Sequence, residues 1–309
     1  MADLSVNNPE RLNLRTGLHI NYAIDSAVVD IETEGFSYAG LSFGVTYNTL
    51  ATRMNLKNTN DSSTGYGFTA GASSYSNFSN AVISGCRSGF TTGSGACLAV
   101  GNLYSDMVIH RGIPYFNTGA EMTGYGFGGH GNAHSNVYSN ITCHNLATGS
   151  SMRDYNAFVH NCKFFGLGTY AFFLHRTKGV TIENCSLHHQ EDVPEKGFIS
   201  FRADNVNMDG TVFVDGCKAT GLTRPFFSLS GYNASKPLRN IKFRNNYAKF
   251  NNTGSRQVGV SGISTNVVLD NSVEFLGGNL VDYSFDATHY GSTGFVTPNT
   301  DWKVINNKA

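Results

Sequence analysis

The sequence predicts an all-β chain folded as one single-stranded right-handed parallel β-helix, a solenoid of about ten coils. Three observations predict it. A short strand phrase ending in Asn or Gly recurs along most of the chain, its copies stand tens of residues apart, and no amphipathic helix pattern interrupts them.

The phrase is clearest around the cysteines. Ala81-Val-Ile83-Ser-Gly-Cys86, Ala157-Phe-Val159-His-Asn-Cys162, Val180-Thr-Ile182-Glu-Asn-Cys185 and Val212-Phe-Val214-Asp-Gly-Cys217 share alternate apolar residues before a turn pair, with Asn140-Ile-Thr-Cys143 a looser relative. Ile241-Lys-Phe243-Arg-Asn-Asn246 and Val267-Val-Leu269-Asp-Asn-Ser272 continue it without cysteine. Alternation of period two marks strands and excludes helical solenoids. Successive anchors are 19 to 35 residues apart, the range of stacked supersecondary units. A second apolar phrase, as in Phe172-Phe-Leu174-His, Phe198-Ile-Ser-Phe201-Arg and Cys97-Leu-Ala-Val100, precedes several copies. Each coil therefore holds two or three strands joined by tight turns, stacked at roughly 4.8 Å per rung.

Composition agrees. A solenoid accommodates 309 residues by adding rungs, and 35 glycines with abundant Asn and Ser suit a chain that turns often. Charged residues are 14% and the net charge is +0, so no basic field exists to gather nucleic acid, which is not an expected partner. Apolar runs such as Ala171-Phe-Phe-Leu174 fall far short of the roughly 20 residues of a spanning helix, and membrane insertion is not expected. The start, Met1-Ala-Asp-Leu-Ser5, lacks a basic and apolar leader, so no secretory signal is expected. The sequons at Asn60, Asn77, Asn140, Asn184, Asn233 and Asn251 then read as turns. The cysteines contain no C-x-x-C pair and read as an inward column of buried free thiols. Asn161, Asn184, Asn245 and Asn271, each one place before its anchor, read as a turn ladder. Residues 1–30 fit the repeat poorly and read as an N-terminal cap or linker, with the β-helix over 31–309 and a C-terminal cap from about 283.

Phrases such as Val159-His-Asn-Cys162 and Val180-Thr-Ile-Glu-Asn-Cys185 resemble the right-handed β-helix superfamily that includes pectate lyases, polygalacturonases and phage tailspikes. The resemblance covers the chain from about Asp30 to its end. Free cysteines, variable coil lengths and aromatic excursions such as Pro114-Tyr-Phe116 are similar to the tailspike branch. That resemblance implies a homotrimer on a virion tail, made in the host cytoplasm, that binds and often cleaves bacterial surface polysaccharide (capsule or O-antigen). No cofactor and no metal is expected.

In the repeat phrase the residue two places before the anchor points outward. Read down the stack, that column is Ser84, His160, Glu183, Asp215, Arg244 and Asp270. Glu183 and Asp215 are then one rung apart, near the roughly 5 to 5.5 Å between the two carboxyls of a retaining glycosidase. One would act as general acid and the other as nucleophile, with His160 and Arg244 flanking them as substrate-binding groups. A competing register, in which Val206-Asn-Met208-Asp209-Gly-Thr211 copies the strand, puts Asp209 in place of Asp215. The same residues also suit a solvated polar ladder of alternating charge.

The charged excursion after Cys185 offers His188, His189, Glu191 and Asp192 as further substrate-binding groups, since loops on a rigid scaffold are where binding groups concentrate. Arg176 and Arg202 stand in matching places before two strands, and paired guanidiniums suit the carboxylates or phosphates of an acidic sugar. Phe158, Phe213, Tyr115, Tyr125, Tyr170 and Tyr232 are stacking platforms or subunit contacts. Gly124-x-Gly126-x-x-Gly129 has no helix after it and is rejected as a dinucleotide site, and His130 and His134 lie in a glycine-rich loop unsuited to zinc. Three functions remain open: endo-acting glycoside hydrolase, non-catalytic polysaccharide adhesin, and lyase on a uronate-containing substrate.

Overall fold

The computed structural model describes residues 4–7, 15–59, 65–93, 98–110, 124–188, 197–202, 211–223, 225–230, 238–250, 258–261, 264–275 and 303–304. Every described element is a strand, and hydrogen bonds join them into one ladder in which each strand pairs in parallel with the next coil. The chain is a parallel β-helix, as the repeat predicts.

Each coil turns at up to three corners, and each corner places one residue in the left-handed backbone region. The first corner runs through Asn80, Asp106, Asn140, Asn161, Asn184 and Asn245, the second through Asn58, Gly85, Asn145 and Gly166, the third through Asn48, Tyr75, Gly101 and Asn156. This explains the Asn and Gly ending of the repeat, because those residues tolerate positive φ at least cost. Asn side chains also tie the rungs: Asn140 Nδ2 donates to Asp106 Oδ1 at 3.0 Å and Asn245 Nδ2 to Asp215 Oδ1 at 2.8 Å. The corners bound three faces. The first carries 157–160, 180–183 and 212–215, the second carries 141–144 and 185–188, and the third carries 148–152 and 170–175.

All five described cysteines are free and buried, as expected, and Cys97 lies outside the described residues. Their single column is corrected. Cys162, Cys185 and Cys217 do stack beyond the first corner, where the Cys185 N–H donates to Cys217 Sγ at 3.4 Å. Cys143 instead pairs with Ile109 and Phe164, and Cys86 follows the second corner at Gly85. Both corners place a left-handed residue before a buried one, so the same phrase arises at two places in the coil. Burial pushes the Cys143 and Cys185 thiols well above their ordinary value. A soluble disulfide reagent is expected to leave Cys143 and Cys185 unmodified in native protein and to label both in denaturant. Peptide mass spectrometry checks this; labelling under native conditions would contradict it.

Aromatic rings stack up the interior: Phe78, Tyr104 and Tyr138 with centroids 5.1 and 5.2 Å apart, and Phe68 over Phe90 at 4.6 Å. Beside them runs an inward column of Gly67, Gly89, Gly126 and Gly149 on the third face, in the register set by their paired neighbours. A Cβ on Gly126 would strike Cys143 Sγ, and one on Gly149 would strike the Phe164 ring. The opposed faces thus approach too closely for any side chain. Farther on, the column enlarges to Ala171 and Phe198 while the second face shrinks from Phe164 through Leu187 to Ala219. Constant filling is kept by trading volume across the core.

Among the described residues one carboxyl is buried in this interior. Asp154 is 0% exposed; its Oδ2 accepts from Tyr138 OH at 2.6 Å and Asn136 Nδ2 at 3.3 Å, its Oδ1 has no partner, and its carbonyl accepts from Thr177 Oγ1. Burial raises its pKa to about 6. A raised folded pKa contributes stability that is complete below the unfolded value near 3.8 and is lost as pH rises through about 6. A displacement of about two pH units is worth about 3 kcal/mol. Asp154→Asn mimics the protonated acid, so it should match the parent near pH 4 and exceed it at pH 8. Urea midpoints at the two pH values check this; a parent as stable as the variant at pH 8 would refute it.

Candidate functional site

On the first face the outward residues of consecutive strands meet in register. His160 pairs with Glu183, Glu183 with Asp215 and Asp215 with Arg244, and the ladder runs on from Arg244 to Asp270. Glu183 and Asp215 therefore stand across a single strand spacing, about 4.8 Å between backbones. Alternation within Val180–Glu183 and Val212–Asp215 sets this register, because Val180, Ile182, Val212 and Val214 are all buried. Both carboxylates are half-buried. Asn245 holds Asp215 from the adjoining corner. His160 stacks on Phe158 with centroids 5.0 Å apart, which fixes its imidazole beside Glu183. Arg244 is exposed at the far side of Asp215. The arrangement provides two acids on neighbouring rungs, an imidazole at one end and a guanidinium at the other.

Ser84 does not belong to this column. It pairs with His110, which pairs with His144, then Phe165, then His188, on the edge of the second face. Thr52, Ser79, Ser105 and Ser139 precede His160 instead. The misassignment has the same cause as that of Cys86, the shared phrase at two corners.

The column holding Ser84 is itself notable. Phe165 lies between the rings of His144 and His188, with centroids 4.8 and 5.2 Å apart. Burial lowers the pKa of both histidines, helped by His110 beside His144 and by Lys218 and Lys163 beside His188. His188 thus joins a ring stack one face away from Glu183. His189, Glu191, Asp192 and Asp209 lie outside the described residues.

Arg176 and Arg202 are not equivalent, which corrects the expected stacked pair. Arg202 is the partner of His175, while Arg176 occupies a left-handed turn one residue later. The register therefore offsets the two guanidiniums by one residue, and both are exposed. Of the Gly124-x-Gly126-x-x-Gly129 phrase, Gly126 belongs to the interior glycine column, while Gly124 lies tight against the Arg87 carbonyl and Gly129 against the Asp154 carboxyl.

A feature absent from the sequence reading is a groove of about 530 Å³ on the third face, over strands Thr16–Ile20, Ala39–Tyr47, Tyr66–Ser74 and Ser88–Thr92. Tyr38, Tyr66, His19 and His130 line it. Its one sequence signal is a pair of short columns, Ser42–Thr69–Thr91 and Gly44–Gly71–Gly93, visible only once the register is known.

No family model matches this chain, and no curated protein matches it. Among solved structures it is similar to the tailspike protein gp49 from Pseudomonas phage LKA1, with a TM-score of 0.50 and 16% identity. The match covers 85% of this chain and 44% of that chain. The likeness is one of fold over the shared length.

Proposed function

We propose that this chain is the β-helical body of a phage tailspike that binds bacterial surface polysaccharide and hydrolyses it, with Glu183 and Asp215 as the acid pair. The observation that carries the reading is the register of Glu183 opposite Asp215. A backbone spacing of about 4.8 Å lets carboxyls on adjacent rungs reach the short separation used for retention, in which one protonates the leaving oxygen and the other attacks the anomeric carbon. Asp215, held by Asn245, suits the nucleophile, since a positioned carboxylate attacks along a defined line. Glu183 then gives its proton to the leaving sugar oxygen and recovers it from the water that releases the enzyme-bound glycosyl group. His160 and Arg244 hold hydroxyls or an acidic substituent on either side. The likeness of fold to a phage tailspike supports the substrate class and a place on the virion tail; assembly as a homotrimer belongs to the same proposal. The segment holding His189, Glu191 and Asp192 belongs to the same reading as further substrate contacts, whereas Asp209, the catalytic acid of the competing register, is not the strand partner of Glu183.

The test is incubation with a panel of capsular and O-antigen polysaccharides, measuring reducing ends together with the absorbance of unsaturated uronides. Reducing ends without absorbance are expected. Both signals together would replace hydrolysis by lyase chemistry, and binding without either would leave an adhesin.

A further inference from the structure

We infer that the groove on the third face is a separate binding site for neutral sugar residues, one that holds the chain without cutting it. The inference rests on the polysaccharide reading above and adds a place and a chemistry to it. The groove is centred four rungs before the coil of Glu183, roughly 20 Å along the axis, and on a different face.

Its lining is that of a saccharide site. Hydroxyls of Ser42 and Thr69 form the floor, linked by a hydrogen bond of 3.0 Å. Beside them Gly71 leaves the backbone bare, so that a sugar ring can approach it closely, while the Asn21 side chain covers Gly44 and Ala133 packs against Gly93. Tyr38 and Tyr66 stand edge to face along one lip, with centroids 5.9 Å apart. Tyr22, 79% exposed, stands on the other lip. Pyranose rings present apolar C–H faces that lie on such rings while their hydroxyls meet polar groups at the edge.

Charge narrows the ligand. Among the described lining residues there is no carboxylate, lysine or arginine. Burial and the nearby Arg153 lower the pKa of His130, which favours the neutral imidazole, a form able both to donate and to accept. The lining itself carries no counter-charge for an acidic sugar, since Arg15, over the Tyr38 ring at 5.9 Å, and Arg153 stand outside it, and it carries no acid to cleave a glycosidic bond. Hydroxylated, uncharged residues of a polysaccharide fit both facts.

Gly71 offers a clean block. A Cβ there meets only the Phe43 carbonyl oxygen at 3.5 Å, ordinary contact, so Gly71→Gln fills the floor without forcing the fold. The probe is a set of immobilised bacterial surface polysaccharides, first screened with the parent protein by interferometry. On the polysaccharide bound, Gly71→Gln and Tyr38→Ala should each weaken binding about tenfold or more, the scale of a lost ring contact. Melting temperatures near the parent's establish folding, and the second variant serves if the first is unstable. Parent binding that both folded variants retain would overturn the groove and leave the polysaccharide reading intact. A parent that binds none of the set would overturn both.

Discussion

Gly126→Val is expected to destabilise the protein by about 3 kcal/mol, the upper part of the range for overpacking a filled interior. The reason is local and geometric. Gly126 faces inward on the third face, where even a methyl would meet Cys143 Sγ, the Gly149 carbonyl oxygen and Leu146 Cδ1. Backbone cannot yield there, because the carbonyl belongs to the next rung of the same ladder. Gly131 is the control, since a Cβ on it meets nothing within 4 Å, and Gly131→Ala should shift stability by less than about 0.5 kcal/mol. Denaturant midpoints of the two variants against the parent check the contrast. Equal midpoints would mean that the faces do not approach as described.

Glu183→Gln and Asp215→Asn are each expected to lower the rate of reducing-end release by about 10²- to 10⁴-fold, the range attached to a positioned acid or base. Both replacements are nearly isosteric, and in Asp215→Asn the new amide oxygen would still accept the hydrogen bond from Asn245. Stability should change little, as exposed or half-exposed ladders contribute little. The double variant should fall hardly below the worse single one, because residues that act as a unit are not additive. A solvated charge ladder with no chemical role predicts the reverse, an unchanged rate with small shifts in stability. Initial rates on the cleaved polysaccharide, with melting curves alongside, decide between the two.

Much of this fold was legible because a parallel solenoid repeats its demands. At each corner the backbone needs a left-handed residue, and Asn161, Asn184 and Asn245 announce it in one-letter periodicity. Val180 and Ile182, matched by Val212 and Val214, carried enough alternation to pair Glu183 with Asp215 correctly. The first half of the chain was harder for a physical reason. Its second corner, at Asn58 and Gly85, imposes the same phrase as the first, so Ser84 and Cys86 were read into the wrong column. Arg176 and Arg202 fall out of step because the strand register pairs Arg202 with His175, an offset that no pattern marks. The groove was invisible for another reason. Its parts come from five coils of unequal length, and Tyr38, Tyr66 and His19 become neighbours only through the register of the third face.

The central claim is that Glu183 and Asp215, one rung apart, act together on a glycosidic bond. Proton NMR of the anomeric signals during digestion of the polysaccharide panel tests it most directly. The account predicts that the first new reducing end carries the configuration of the bond that was cut. An inverted first product would contradict it, because inversion requires carboxyls roughly 6.5 to 9.5 Å apart with a water between them, and so would the absence of any new anomeric signal.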